Sequence, residues 1–248
     1  KTTEFNTDIP VERNKLTTIK GDVLTTGGNI KVTVNNGLGV KETYTYVDTA
    51  EDLQDKINNA DDNEETNISL GGNIDLGAIA GILSTRANTY TYALEIPANK
   101  TVVLDLKGYT IRQTKECTDS YSMILNNGEL TITGNGTIEF TNAAEGGSST
   151  WGTYTIENRG EGVLTINNAT IRHNGCVNGE VNRDTNIAIQ NYQGKVVING
   201  GNSVSTQFRS LRDFTAGGEI IINGGTFLGQ VWMQGLGSGS SSLTINGG

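Results

Sequence analysis

The chain has 248 residues, 35% of them hydrophobic and 18% charged, with 33 Gly and two Pro. Its net charge of −9 repels phosphate backbones and argues against a nucleic-acid partner. No apolar run approaches the ~20 residues that cross a bilayer. Gly and Asn accept tight bends at little cost, so this composition suits short strands and turns and excludes disorder.

In chain order, residues 1–46 lie outside the pattern that organises the rest. Within them, 17–24 and 30–34 read as two strands around Gly27-Gly28. The chain opens on Lys1, so a removed leader is expected. Residues 49–60 read as a helix. Thr49 is placed to cap it with Asp52 three residues on, and Ala50, Leu53, Ile57 and Ala60 share one face. This helix is expected to lid a solenoid. The acidic run Asp61-Asp62-Asn63-Glu64-Glu65 lacks the spacing of a calcium loop and reads as a solvated turn. A first coil is expected over 67–76.

Six copies of one unit follow. They read Val102-Val103-Leu104-Asp105-Leu106, Leu130-Thr131-Ile132, Leu164-Thr165-Ile166-Asn167, Val197-Ile198-Asn199-Gly200-Gly201, Ile221-Ile222-Asn223-Gly224-Gly225 and Leu243-Thr244-Ile245-Asn246-Gly247-Gly248. Taking Leu106, Ile132, Ile166, Ile198, Ile222 and Ile245 as markers, the separations are 26, 34, 32, 24 and 23 residues. A second apolar position follows each of the first five markers, at Ile111, Ile138, Ile171, Val204 and Phe227, preceded by Thr110, Thr137, Thr170, Ser203 and Thr226. A third short strand precedes most markers, at 122–125, 153–156, 186–189, 210–214 and 231–234. Three strands and three bends close one triangular coil.

The expected fold is therefore all-β: a single-stranded right-handed parallel β-helix with an N-terminal helical cap, over 47–248. Stacked coils lie about 4.8 Å apart, which puts the markers in one interior column. Asn167, Asn199, Asn223 and Asn246 become an amide ladder at a bend. The rival is antiparallel, because Asn-Gly is a strong hairpin signal. No mirrored strand follows those turns. Gly248 follows a marker strand with no closing element, so a truncated solenoid is expected.

Residues 47–248 resemble the pectin-lyase-like right-handed parallel β-helix superfamily, whose enzymes are mostly polysaccharide lyases and glycoside hydrolases. Separately, Ile9-Pro10-Val11-Glu12-Arg13-Asn14-Lys15-Leu16, continuing to Thr25, resembles the closing segment of Bacteroidetes fimbrillin-like surface proteins. That second resemblance implies an extracellular or outer-surface adhesin, with residues 1–46 as the tail of an upstream region.

Catalytic motifs do not assemble in the sequence. A polygalacturonase-type set has only Asn6-Thr7-Asp8 and Asp61-Asp62 to draw on, and the single histidine, His173, reads as a surface residue. For a lyase the candidates are Glu157, Arg172, Arg212 and Asp213, with no stacked acidic pair. Cys117 and Cys176 sit in no metal or redox spacing and read as two thiols two coils apart. No metal or cofactor is expected.

The aromatics Trp151, Tyr154, Tyr192, Phe214 and Trp232 gather in the last coils. An outward aromatic column stacks on sugar faces while neighbouring polar groups bond hydroxyls. With Val231 and Met233 inward, Trp232 and Gln234 face out, and Gln190 and Arg212 take matching positions in earlier coils. The candidate ligand-binding set is Trp151, Tyr192, Gln190, Arg212, Trp232 and Gln234, with a carbohydrate or host-surface ligand as partner. The alternative is that Trp151, Tyr154 and Phe214 fill the core or pack loops.

Overall fold

The computed structural model describes residues 31–35, 41–78, 91–117, 120–145, 152–178 and 186–248. Each repeat alternates β-branched or aliphatic residues with polar ones, and a strand throws those two sets to opposite faces. Three faces of stacked strands result.

The first wall contains Lys41–Val47, Glu65–Leu70, Thr101–Asp105, Glu129–Thr133, Val163–Ile166, Lys195–Ile198, Glu219–Ile222 and Ser242–Ile245, each parallel to the next. Ile74–Asp75, Thr110–Lys115, Thr137–Glu145 and Thr170–Asn178 stack likewise in the second wall. In the third are Thr91–Ile96, Tyr121–Asn126, Thr153–Arg159 and Asn186–Tyr192. The long strands Asn202–Thr215 and Thr226–Leu236 continue both the second and third walls, with register shifts between Val204 and Leu211 as they pass from one to the other. The protein is a right-handed parallel β-helix. Among the described strands the one antiparallel pairing is Lys31–Asn35 with Lys41–Val47, so the strand expected at 30–34 pairs forward along the chain. Residues 17–24 lie outside the described set.

Pairing fixes the interior columns and corrects two alignments. Ile132 stacks on Leu104 rather than Leu106. Alternation defines a column only to within two residues, because a slip of two leaves every side chain on its own face. Leu106 is buried instead at the bend, its amide donating to the Thr133 carbonyl at 2.9 Å. In the second wall, Ser203 and not Val204 continues the Ile111, Ile138, Ile171 column, and Asn202 follows Thr110, Thr137 and Thr170. The bend from Asn199 to Asn202 matches the length of that from Asn167 to Thr170. Backbone pairing there overrides the apolar match.

The helix Ala50–Asn58 caps the N-terminal end. Thr49 Oγ1 accepts from the Asp52 amide at 3.1 Å, and Ala50, Leu53, Gln54 and Ile57 are buried. Gln54 covers the exposed edge of Thr91–Ile96 as a neighbouring peptide would. Its Oε1 accepts from the Glu95 amide (3.1 Å) and its Nε2 donates to the Glu95 carbonyl (3.3 Å). At the other end the columns open: Ile222 is 3% exposed and Ile245, stacked on it, 64%.

Two amide ladders run along the solenoid in opposite senses. On the outside, Asn246 donates to Asn223, Asn223 to Asn199 and Asn199 to Asn167, each at 2.7–2.8 Å. Inside, Asn126 donates to Asn158, Asn158 to Asn191 and Asn191 to Asp213, also at 2.7–2.8 Å. The outer ladder was expected from the sequence.

Candidate functional site

The third wall differs from the other two because both of its faces are buried. Every residue of Tyr121–Asn126, and all but the last of Thr153–Arg159 and Asn186–Tyr192, is shielded from solvent. Leu94, Ile124, Ile156, Ile189, Leu211 and Val231 form an inward column. The next residue along each strand then faces out, giving the column Glu95, Leu125, Glu157, Gln190, Arg212 and Trp232. Gln190, Arg212 and Trp232 are thus stacked coil upon coil, as their spacing predicts.

These side chains form one network. Arg212 Nε donates to Gln190 Oε1 at 2.6 Å, its Nη2 reaches the Tyr154 hydroxyl at 3.5 Å, and its guanidinium lies 4.6 Å from the Phe214 ring centre. Tyr154 and Tyr192 meet edge to face at 6.5 Å with their hydroxyls 3.3 Å apart, and Tyr192 meets Phe214 at 5.3 Å. Arg159 stacks on Tyr192 at 4.6 Å and donates to the buried carboxylate of Glu157, which also accepts from Ser122. Arg209 covers the Trp232 ring at 3.6 Å and bonds Gln230 at 3.4 Å. A buried charge persists only when paired and hydrogen-bonded, as Glu157 is here. Desolvation pushes the Tyr154 phenol well above its ordinary pKa, so that hydroxyl stays protonated.

Of the six candidates, Gln190 and Arg212 face out but are buried beneath the network, while Tyr192, Trp232 and Gln234 are half-buried. Trp151 lies outside the described residues. Tyr154, one of the aromatics set against a core-filling alternative, is buried on the outer face. Sequence reasoning missed Glu157, Arg159 and Arg209 as members of this face. Stacking Glu157 over Gln190 from their like positions before Asn158 and Asn191 would have found the first.

The lyase-type set does not converge. Arg172 lies on the second wall facing Glu139 at 3.7 Å, and Asp213 is fully buried inside, at the end of the amide ladder. Glu157 and Arg212 alone share a face. No cluster of three His, Cys, Asp or Glu able to hold a metal occurs among the described residues.

His173 corrects a second expectation. It is fully buried, edge-on to Phe140 at 5.2 Å. The Gly175 amide donates to Nδ1 at 2.9 Å, which places the ring proton on Nε2, 3.1 Å from Thr153 Oγ1. Thr153 in turn donates to Asn186 Oδ1 at 2.6 Å. Burial holds its pKa down at about 3. A lone histidine looks exposed in sequence because its partners come from another wall.

Cys117 is buried, and its amide donates to Asn142 Oδ1 at 3.0 Å, where Asn142 is the strand partner of Cys176.

A family of unknown function, DUF6562, matches residues 1–54, which include the 9–25 segment and reach into the cap helix. No curated protein and no solved structure matches the chain. No described helix is long and apolar enough to cross a membrane.

Proposed function

We propose that the protein is a non-catalytic adhesin or glycan-binding scaffold at the outer surface of a Bacteroidetes-type bacterium, with carbohydrate bound on the outer face of the third wall. The observation that carries this reading is the half-buried Trp232, stacked on the buried and mutually bonded Gln190 and Arg212, with the half-buried Tyr192 ring on the same face. Half-buried aromatic rings and accessible carboxamides such as Gln230, held in place by the buried network, are the chemistry that grips sugar rings and hydroxyls. A solenoid holds those groups at fixed intervals with little conformational entropy left to lose on binding. The likeness of residues 9–25 to fimbrillin-like proteins supports the surface location.

A glycan array on the purified chain, paired with an assay for new reducing ends and unsaturated products, tests this. Binding without turnover is the expected result. Turnover replaces the reading with a polysaccharide lyase or hydrolase, and silence in both assays with a structural spacer.

A further inference from the structure

We infer that the ligand of the third wall is a neutral polysaccharide, one that presents hydroxyls without carboxylates or sulfates; this rests on the carbohydrate reading above. Three arginines face that wall, which at first suggests an acidic ligand. Each is already engaged. Arg159 is bonded to the carboxylate of Glu157 and stacked on Tyr192; Arg212 is bonded to Gln190 and stacked on Phe214; Arg209 is bonded to Gln230 and stacked on Trp232.

Taking Arg159 for a ligand anion would strand the Glu157 carboxylate, which is 1% exposed, without its cation. A buried charge stripped of its partner is strongly unfavourable. The chain's net charge of −9 adds a general repulsion toward polyanions.

Apart from Glu95 and the ion-paired Arg159, both half-buried, the accessible groups of this face named above are neutral. Trp232 and Tyr192 are half-buried, Gln230 is exposed, and Gln234 is half-buried. The half-buried Gln234 carboxamide and the exposed Gln230 pair with hydroxyls, which both donate and accept, whereas a carboxylate or sulfate oxygen only accepts. Ring edges and carboxamides select hydroxyl-rich surfaces.

The experiment is isothermal titration of the full chain with mixed-linkage β-glucan, xylan and galactomannan as neutral probes, and polygalacturonate and heparin as acidic ones. Each is run from about 0.02 M to about 0.5 M salt, a range over which exposed charge pairs are progressively screened. The expected result is binding to a neutral probe with a Kd that moves less than about twofold across that range. Trp232→Ala weakens it about tenfold or more, a loss of ~1.4 kcal/mol. Gln234→Ala serves as the second variant should the tryptophan variant fail to fold. Binding confined to polygalacturonate or heparin, and falling with salt, overturns neutrality while leaving the carbohydrate reading intact. Neutral binding indifferent to both substitutions overturns the placement on this wall. No binding to any probe overturns both.

Discussion

Asn191 donates from Nδ2 to Oδ1 of Asp213 at 2.8 Å, and this bond ends the interior amide ladder. A carboxyl carries no amide hydrogen to hand on, and the next residue in the column is the apolar Met233. Each interior amide also donates to a backbone carbonyl at the bend into the first wall: Asn126 to Val163, Asn158 to Gly162 and Asn191 to Gly194. The ladder therefore fastens one wall to the next, and the outer ladder decorates a bend.

That difference predicts unequal costs. Asn158→Ala removes the donor shared by Asn191 Oδ1 and the Gly162 carbonyl, which keeps only the Lys195 amide, and takes the Asn158 Oδ1 acceptor from Asn126; the loss is expected at about 2–4 kcal/mol. Asn223→Ala, in the exposed ladder, is expected to cost under about 1 kcal/mol. Urea unfolding of both variants checks this; equal losses would sink the distinction.

Glycines at the same bend make room for the ladder. A Cβ on Gly194 would lie 2.3 Å from Asn158 Nδ2 and 2.5 Å from the Gly162 carbonyl. At Gly160 φ is +60° but nothing lies within 4 Å of the added carbon. Gly194→Ala is thus expected to cost more than about 3 kcal/mol by forcing the ladder apart. For Gly160→Ala only the left-handed backbone strain applies, about 1–2 kcal/mol. Thermal midpoints in the reverse order would refute this account.

His173 gives the fold a pH dependence whose sign follows from its burial. Its pKa is about 3 when folded, below the ordinary 6.5, so the native state favours the neutral ring. The resulting stability is complete above pH 6.5 and is lost as pH falls from there toward 3, up to roughly 4–5 kcal/mol as an order of magnitude. His173→Gln removes the titrating ring. The stability difference between wild type and variant should change across that window and stay constant above it. A constant difference throughout would show that His173 is not coupled to folding.

Gln54 tests the cap. Gln54→Leu keeps the buried volume but leaves the Glu95 amide and carbonyl without their side-chain partner, at an expected 1–3 kcal/mol, ~2 being typical. Hydrogen exchange at the Glu95 amide should accelerate more than at Ile124, deep in the third wall. Unchanged protection at Glu95 would mean that the helix covers this edge without the glutamine.

The parallel stacking, the capping helix and the outer Asn ladder were legible in the amino-acid order, because each depends on a local pattern repeated at each coil. Alternation sets which side chains point inward, Thr49 with Asp52 sets a helix start, and Asn-Gly-Gly sets a bend. Such signals lie within a few residues of one another. Column registers were legible only to within a slip of one or two residues, as Leu104 and Ser203 show.

The tertiary structure alone decided what meets across a bend or between coils. His173 meets Thr153, Thr153 meets Asn186, Arg159 meets Tyr192, and Asn191 meets Asp213. Burial of a charge or an imidazole is tolerated only where a partner is brought to it, and that partner's distance along the chain is set by loop lengths that periodicity does not encode. The repeat thus determined the scaffold. Which polar groups the scaffold buries, and which rings it leaves half-open, followed from how its coils close.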